Sequence, residues 1–346
     1  MSIERGWAAL NLQMTPEIPR TEYLDHPRYV QYLTGLDPND PAQAEEAWRQ
    51  AYLKLDYDFY WLTYDGVGLS NGRSSWMGTA TYAENQQNVR GHVDGYASIQ
   101  ALLDMDPVTE YPQPDLATVV ADFQRFLDQS RRSCPCALVP GGIYNSVFTW
   151  CILAFGWEMF MLAAMDDPVR FDEIMEGFFS ISQRNVEAWL QTDMEFFLCH
   201  DDIVWAAGPV FPPDWYRKNV IARYERLWEP IRKRGLKVLF CSDGNYTELV
   251  DDLVAAGADG FIFEPLTSLE YIAGKYGDTH VMMGNADCRI LQRGPESAIL
   301  AEVERCYQLG RHYPGYFFAV GNHIPYNIPV ENVAYYMDQI AAHRKR

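Results

Sequence analysis

From Met194 to His343 short apolar runs alternate with amphipathic stretches of helical period, and nothing reads as a return hairpin. Met194–Cys199, Lys237–Phe240, Phe261–Phe263, His280–Met283 and Tyr316–Val320 predict strands. Pro213–Arg234, Tyr246–Ala256, Ser268–Tyr276, Pro295–Gly310 and Val330–His343 predict the helices between and after them. A proline near the start of the first and Gly257 after the second are ordinary helix boundaries. Strands that each lead into a helix pair in parallel, so this half of the chain is α/β.

The earlier half supplies the rest of the pattern. Leu116–Ser130 has helical period, Cys136–Val139 reads as a strand before Pro140-Gly141-Gly142, and Tyr144–Ala164 and Pro168–Gln191 read as successive helices. Asp56–Thr63 is expected to be the first strand. The total is about eight strands, the number of a (β/α)8 TIM barrel. All 346 residues then form one barrel domain, with an irregular, partly helical N-terminal extension and first strand over roughly residues 1–90. Gly66–Ala83, rich in Gly, Ser and Thr, is expected to be a long loop serving as a lid or substrate contact.

Composition narrows the class. Hydrophobic residues are 48% of the chain, enough for a large core, and the formal net charge is −19. So acidic a surface repels nucleic acid and anionic membrane, and neither is expected as a partner. Seven cysteines are scattered, and Cys134 and Cys136 are too close for an ordinary disulfide. Reduced thiols fit the cytoplasm. The first residues carry no apolar run like that of a signal peptide. The longest apolar stretch, Val147–Met165, contains Glu158 and is followed by Asp166 and Asp167, so a buried helix is expected.

The strand ends carry the chemistry. In a parallel barrel they converge on one mouth, where catalytic residues sit. Here they deliver His200, Asp201 and Asp202; Cys241 and Asp243; Glu264; Asn285 and Asp287; Asn322 and His323. Imidazole, thiol and carboxylates at one place suit a divalent metal or acid–base catalysis. Each also has a structural reading. His200 can satisfy core carbonyls, and one of Asp201 and Asp202 can cap a helix. Cys241 can be a small buried hydrophobe. Asp243-Gly244-Asn245 is good turn chemistry, and Asp287 can pair internally with Arg289. Asp243, Glu264, Asp202 and His200 are the expected catalytic residues.

The segments VLFCSDGNYTELVDDLVAAGADGFIFEP, GNADCRILQRGPESAI and GNHIPYNIPVENV resemble the uroporphyrinogen decarboxylase superfamily, from about Met194 to the C-terminus. That resemblance implies a (β/α)8 enzyme. Of its two activities, porphyrinogen decarboxylation and methyl transfer from corrinoid proteins, the second is the better match. The decarboxylase elements have only Arg28-Tyr29 and Leu62-Thr63-Tyr64-Asp65 as counterparts. The resemblance implies a corrinoid protein as partner, carrying methylcobalamin, and a small methyl acceptor, a thiol or tetrahydrofolate. It also implies zinc, with Cys241, His323 and Glu264 as ligands, although the His-x-Cys and later Cys of that branch fall here on Cys241, Asp243 and Asn322. Asn245, Asn285, Asp287, Asn322 and Tyr326 are expected to contact substrate. The alternatives are a cofactor-free decarboxylase of a tetrapyrrole-like or other aromatic acid, and a non-catalytic tetrapyrrole-binding protein. A homodimer is compatible with this reading.

Overall fold

The structure, a computed structural model, describes residues 2–66 and 96–346. Its strands are β1 (Tyr23–Asp25), β2 (Gly141–Ile143), β3 (Phe197–His200), β4 (Val238–Ser242), β5 (Gly260–Phe263), β6 (Val281–Met283), β7 (Tyr316–Phe317) and β8 (His323–Pro325). β2 to β7 form one parallel sheet in chain order, and β1 pairs in parallel with β8. Single bridges carry the sheet onward at both edges. Arg20 bridges Phe318, and Phe59 bridges Leu138. The Asp58 N–H donates to the Arg20 carbonyl at 2.9 Å, and Thr21 donates through its backbone to Phe318 and through its hydroxyl to Phe59. The fold is a (β/α)8 TIM barrel, as the alternation of strands and helices predicts.

The barrel opens with Arg20–Asp25, and Asp56–Thr63 supplies its second stave rather than the first. Pro19 and Pro27 bracket the true first strand so closely that its alternation is short and easily missed. The helices are largely where periodicity puts them, at Leu116–Ser133, Phe148–Asp166, Pro168–Trp189, Glu296–Gly310 and Val330–His343. The run from Pro213 is broken by a π-type turn at Arg217–Ile221 before Ala222–Lys233. The expected loop Gly66–Ala83 lies, beyond Gly66, outside the described residues.

Side chains on the strands alternate with period two, which divides the core in two. Leu198, Leu239, Cys241, Ile262, Met283 and Phe317 fill the barrel interior. Phe197, Cys199, Phe240, Phe261, Phe263 and Phe318 face out and pack with the helices. The apolar helix Phe148–Asp166 belongs to this outer shell, with 61% of its most hydrophobic window buried. Glu22 also lies there. Its carboxylate accepts from the Val320 N–H at 2.7 Å and from the Tyr336 hydroxyl at 2.8 Å, on the last helix.

Helix Ser2–Leu10 closes the N-terminal end of the barrel. Its Ala9 and Leu10 join the interior cluster, and the Trp7 ring meets Phe196 edge-on at 5.9 Å. The helix lies so close that a Cβ on Gly6 would come 2.4 Å from the Asp58 carbonyl. Asp58, fully buried, pairs with Arg5 at 2.7 Å and with Arg344 at 3.1 Å, so one acid ties both ends of the chain to the barrel floor.

Candidate functional site

The end of β3 places consecutive acids on opposite faces. The ladder continues past His200 through the Asp201 N–H to the Cys241 carbonyl, 2.9 Å, so alternation holds there. Asp201 therefore faces out. Its carboxylate accepts from the N–H groups of Val147, Phe148 and Thr149 and from the hydroxyls of Ser146, Thr149 and Tyr224. Val147 heads helix Phe148–Asp166 without a capping side chain of its own. Asp201 is its cap, delivered from another strand, and satisfies N–H groups that a helix leaves open.

His200 and Asp202 face in. His200 Nε2 lies 3.2 Å from Asp202 Oδ1, and the Asp243 N–H donates to the same oxygen at 2.9 Å. The Tyr144 hydroxyl donates to Asp202 Oδ2 at 3.1 Å, while its ring centroid lies 4.0 Å from that of His200. Asp243 has the corresponding inward position just past β4, and its carboxyl accepts from the Asn322 side chain. The turn behind it needs Gly244, whose φ is +82° and whose Cβ, were there one, would lie 2.6 Å from the Trp205 carbonyl. The Gly244 N–H donates to the Glu264 carboxylate. The last stave passes against Glu264 so tightly that Gly321 has no room for a Cβ.

The acids of this group differ in charge. Burial works against the Asp202 charge, but His200, the Asp243 N–H and the Tyr144 hydroxyl outweigh it and hold this carboxyl below the usual carboxylate range. Burial, then the charges of Asp202 and Glu264, push Asp243 well above that range. Burial also raises Glu264, against the Gly244 N–H and Arg289. The neighbouring carboxyls are thus ionised in one case and proton-holding in the other, as close buried acids must be without a cation. Burial and then the Asp202 charge raise the Tyr144 phenol as well, so it stays a donor.

Among the described residues, one group has three potential metal ligands with donor atoms all within 4.8 Å of one another: His200, Asp202 and Asp243. Cys241, Glu264 and His323, the set implied by the resemblance, are not gathered in this way. Cys241 sits two residues below Asp243 on the inward face, 1% exposed among apolar side chains, and burial followed by the Asp243 charge pushes its thiol up. His323 is buried beside Asn322, with its Nδ1 2.9 Å from the Asn322 Oδ1. The zinc implied by the resemblance therefore has no thiolate in this group. An imidazole and two carboxylates do fit a divalent cation.

Of the expected substrate contacts, Asn322 joins the group through Asp243. Asn245 accepts from the Thr247 N–H and hydroxyl and so holds its own turn. Asn285 donates to the Thr267 carbonyl and accepts from Arg305. Asp287 caps helix Cys288–Arg293 and pairs with Arg289 at 2.8 Å, and Tyr326 is exposed. One member, Tyr144, escaped sequence reasoning, and another, Asp65, entered it only within the Leu62-Thr63-Tyr64-Asp65 counterpart. Tyr144 was assigned to a helix that begins only at Phe148. Asp65, at the end of the second stave, accepts from the Tyr144 and Asn145 N–H groups and the Asn145 amide, and burial raises it to about 7. The signal for both was their position just after a strand.

A family model for uroporphyrinogen decarboxylase (URO-D) matches residues 89–343, well over half of the chain. The chain belongs to the URO-D family. This URO-D family member superposes on a methyltransferase from Methanosarcina mazei with a TM-score of 0.66 at 16% identity, over 99% of this chain and 98% of that one. A protein described as a vitamin-B12-independent methionine synthase from Listeria monocytogenes gives 0.46 at 12% identity, over 95% and 98%. A β-1,4-mannanase from the sea hare Aplysia kurodai gives 0.46 at 10%, over 96% and 94%. The first of these likenesses shows the fold. No curated protein sequence matches the chain.

Proposed function

We propose that this URO-D family enzyme transfers a methyl group between a corrinoid protein and a small acceptor, a thiol or tetrahydrofolate. The observation that carries the reading is the pair Asp202 and Asp243, joined through the Asp243 N–H at 2.9 Å, one held below the usual carboxylate range and the other pushed above it. Methyl transfer to a thiol releases the thiol proton as the new S–C bond forms and the Co–C bond breaks, its electron pair staying on cobalt. Asp202, next to His200, would take that proton. In the reverse sense, a methyl-pterin needs a proton on its leaving nitrogen, and Asp243 holds one. Tyr144 keeps Asp202 oriented from the far oxygen. With a divalent cation on His200, Asp202 and Asp243 instead, both carboxyls would stay charged as ligands, and the cation would supply a Lewis acid that favours the thiolate form of an acceptor.

Decarboxylation of a polycarboxylate is the poorer fit. Such a substrate calls for cations, and the group gathered among the described residues consists of acids, one imidazole and a phenol. Arg289, the cation that acts on Glu264, is already paired with Asp287.

The test is the absorption spectrum of methylcobalamin, free or on a corrinoid protein, mixed with the purified enzyme and each acceptor in turn. Loss of the methyl-cobalt spectrum that depends on both enzyme and acceptor is the expected result. A spectrum unchanged with thiols and with tetrahydrofolate would remove this reading.

A further inference from the structure

We infer that His200, Asp202 and Asp243 form a binding site for a first-row divalent cation coordinated by nitrogen and oxygen alone, with Cys241 outside it. The inference rests on the geometry of these side chains and is independent of the transfer reading above.

His200 ends one strand, and Asp202 and Asp243 lie just past the ends of that strand and its neighbour, whose register is fixed by the pairing of His200 with Cys241. Continued alternation points His200, Asp202 and Asp243 to the same interior face. Donor atoms sharing an ion at about 2.1 Å lie up to roughly 4 Å apart. The observed spread, within 4.8 Å, closes with a shift of about half an ångström per ligand. Three protein donors are the number found where a metal keeps a position open for water or substrate.

The surroundings suit a held ligand set. His200 and Asp202 are 8% and 6% exposed, so a cation there is shielded from bulk water. Groups outside the triad fix its members. The Tyr144 hydroxyl holds the Asp202 oxygen that does not face His200, and Asn322 holds Asp243. Such outer contacts orient metal ligands and tune affinity. Cys241 lies one layer deeper, packed with Leu239, Ile262 and Met283 in the dry interior. Without sulfur, the set matches Mn(II), Fe(II), Co(II) or Zn(II) and offers nothing to soft cations such as Cu(I).

The experiment strips the full-length protein with a chelator and titrates it with Mn(II), Zn(II) and Co(II), reading heat, melting temperature and, for Co(II), absorption. One ion per chain is expected, with weak visible Co(II) bands and no near-ultraviolet sulfur-to-cobalt band. Cys241→Ser should leave stoichiometry and spectrum as they were. Tyr144→Phe should weaken binding by about 10- to 100-fold, and Asp243→Asn and His200→Gln should weaken it further. Absence of a bound ion, or a near-ultraviolet band that vanishes in Cys241→Ser, would overturn the inference. Where Asp243→Asn fails to fold, the wild-type Co(II) spectrum and Tyr144→Phe still decide. A bound ion without methyl transfer counts against the transfer reading alone, and methyl transfer by a protein that takes up no ion in the titration counts against the site alone.

Discussion

The Asp243 N–H reaches across to Asp202 Oδ1 at 2.9 Å, the oxygen that also lies 3.2 Å from His200 Nε2. One backbone donor thus fixes the acid of the neighbouring strand, while the side chain of Asp243 is left for chemistry. Asp243→Asn preserves that backbone bond and removes only the acid. Turnover in the methyl-transfer assay should fall about 10²- to 10⁴-fold, the usual worth of a proton-transfer group. Glu264→Gln should fall in the same direction. Neither should lower the melting temperature, because each removes a buried carboxyl that burial already disfavours as a charge. Melting curves and initial rates on the same preparations check both halves. Wild-type turnover in both variants would remove these residues from the mechanism.

Adjacent acids should respond in opposite ways. Asp201 gathers six donors at the head of helix Phe148–Asp166. Asp201→Ala leaves those buried donors without an acceptor and should cost at least about 3 kcal/mol in chemical denaturation. Asp202→Asn should keep most stability and lose activity. A stable Asp201→Ala protein would contradict the capping role.

Glu22 should give the fold a pH dependence. Burial raises its carboxyl from 4.5 to about 8, against the hydrogen bonds from Val320 and Tyr336 and the attraction of Arg20. A folded value above the unfolded one means that the native state holds the proton more tightly. The stability it contributes is complete below about pH 4.5 and is lost as pH rises through about 8. Glu22→Gln keeps an acceptor for Val320 and can donate to Tyr336, so its melting temperature should vary less over this window than that of the wild type. Parallel curves for the two proteins would show that Glu22 does not titrate there.

The floor of the barrel depends on Arg344. It donates to the Ile18 carbonyl at 2.9 Å and pairs with Asp56 and Asp58 at 3.0 and 3.1 Å. Arg344→Ala leaves Asp58, itself raised to about 6 by burial, with Arg5 as its remaining ion-pair partner. A loss of about 3 kcal/mol or more is expected in denaturant melts, with Arg344→Lys recovering part of it.

The fold was legible because a parallel barrel writes itself as strand, helix, strand, and the late chain keeps that rhythm from Met194 onward. The first strand was not, since prolines on either side leave Arg20–Asp25 too short to show a period. At the site, counting by twos from Leu198 or Leu239 gives the inward residues His200, Asp202, Cys241 and Asp243. Periodicity gives a face but no depth, and so could not show that Cys241 is one layer too low to join the others. Nor could it show that Asp201 caps a helix earlier in the chain than its own strand, because that contact spans 52 to 55 residues. Tyr144 was hidden by a helix boundary, the part of a sequence reading most easily misplaced by a few positions.

The helix at the start of the chain has a kinetic consequence. Among the described residues, Trp7, Ala9 and Leu10 stopper the far end, so His200 and Asp202 face the strand-end mouth. In the methyl transfer we propose, a protein-borne corrin and a small acceptor would then share a doorway. The bulkier one, seated first, decides whether the other can pass. The order of arrival and departure becomes a property of the architecture, and a channel opened through the floor would relax it without touching a single acid.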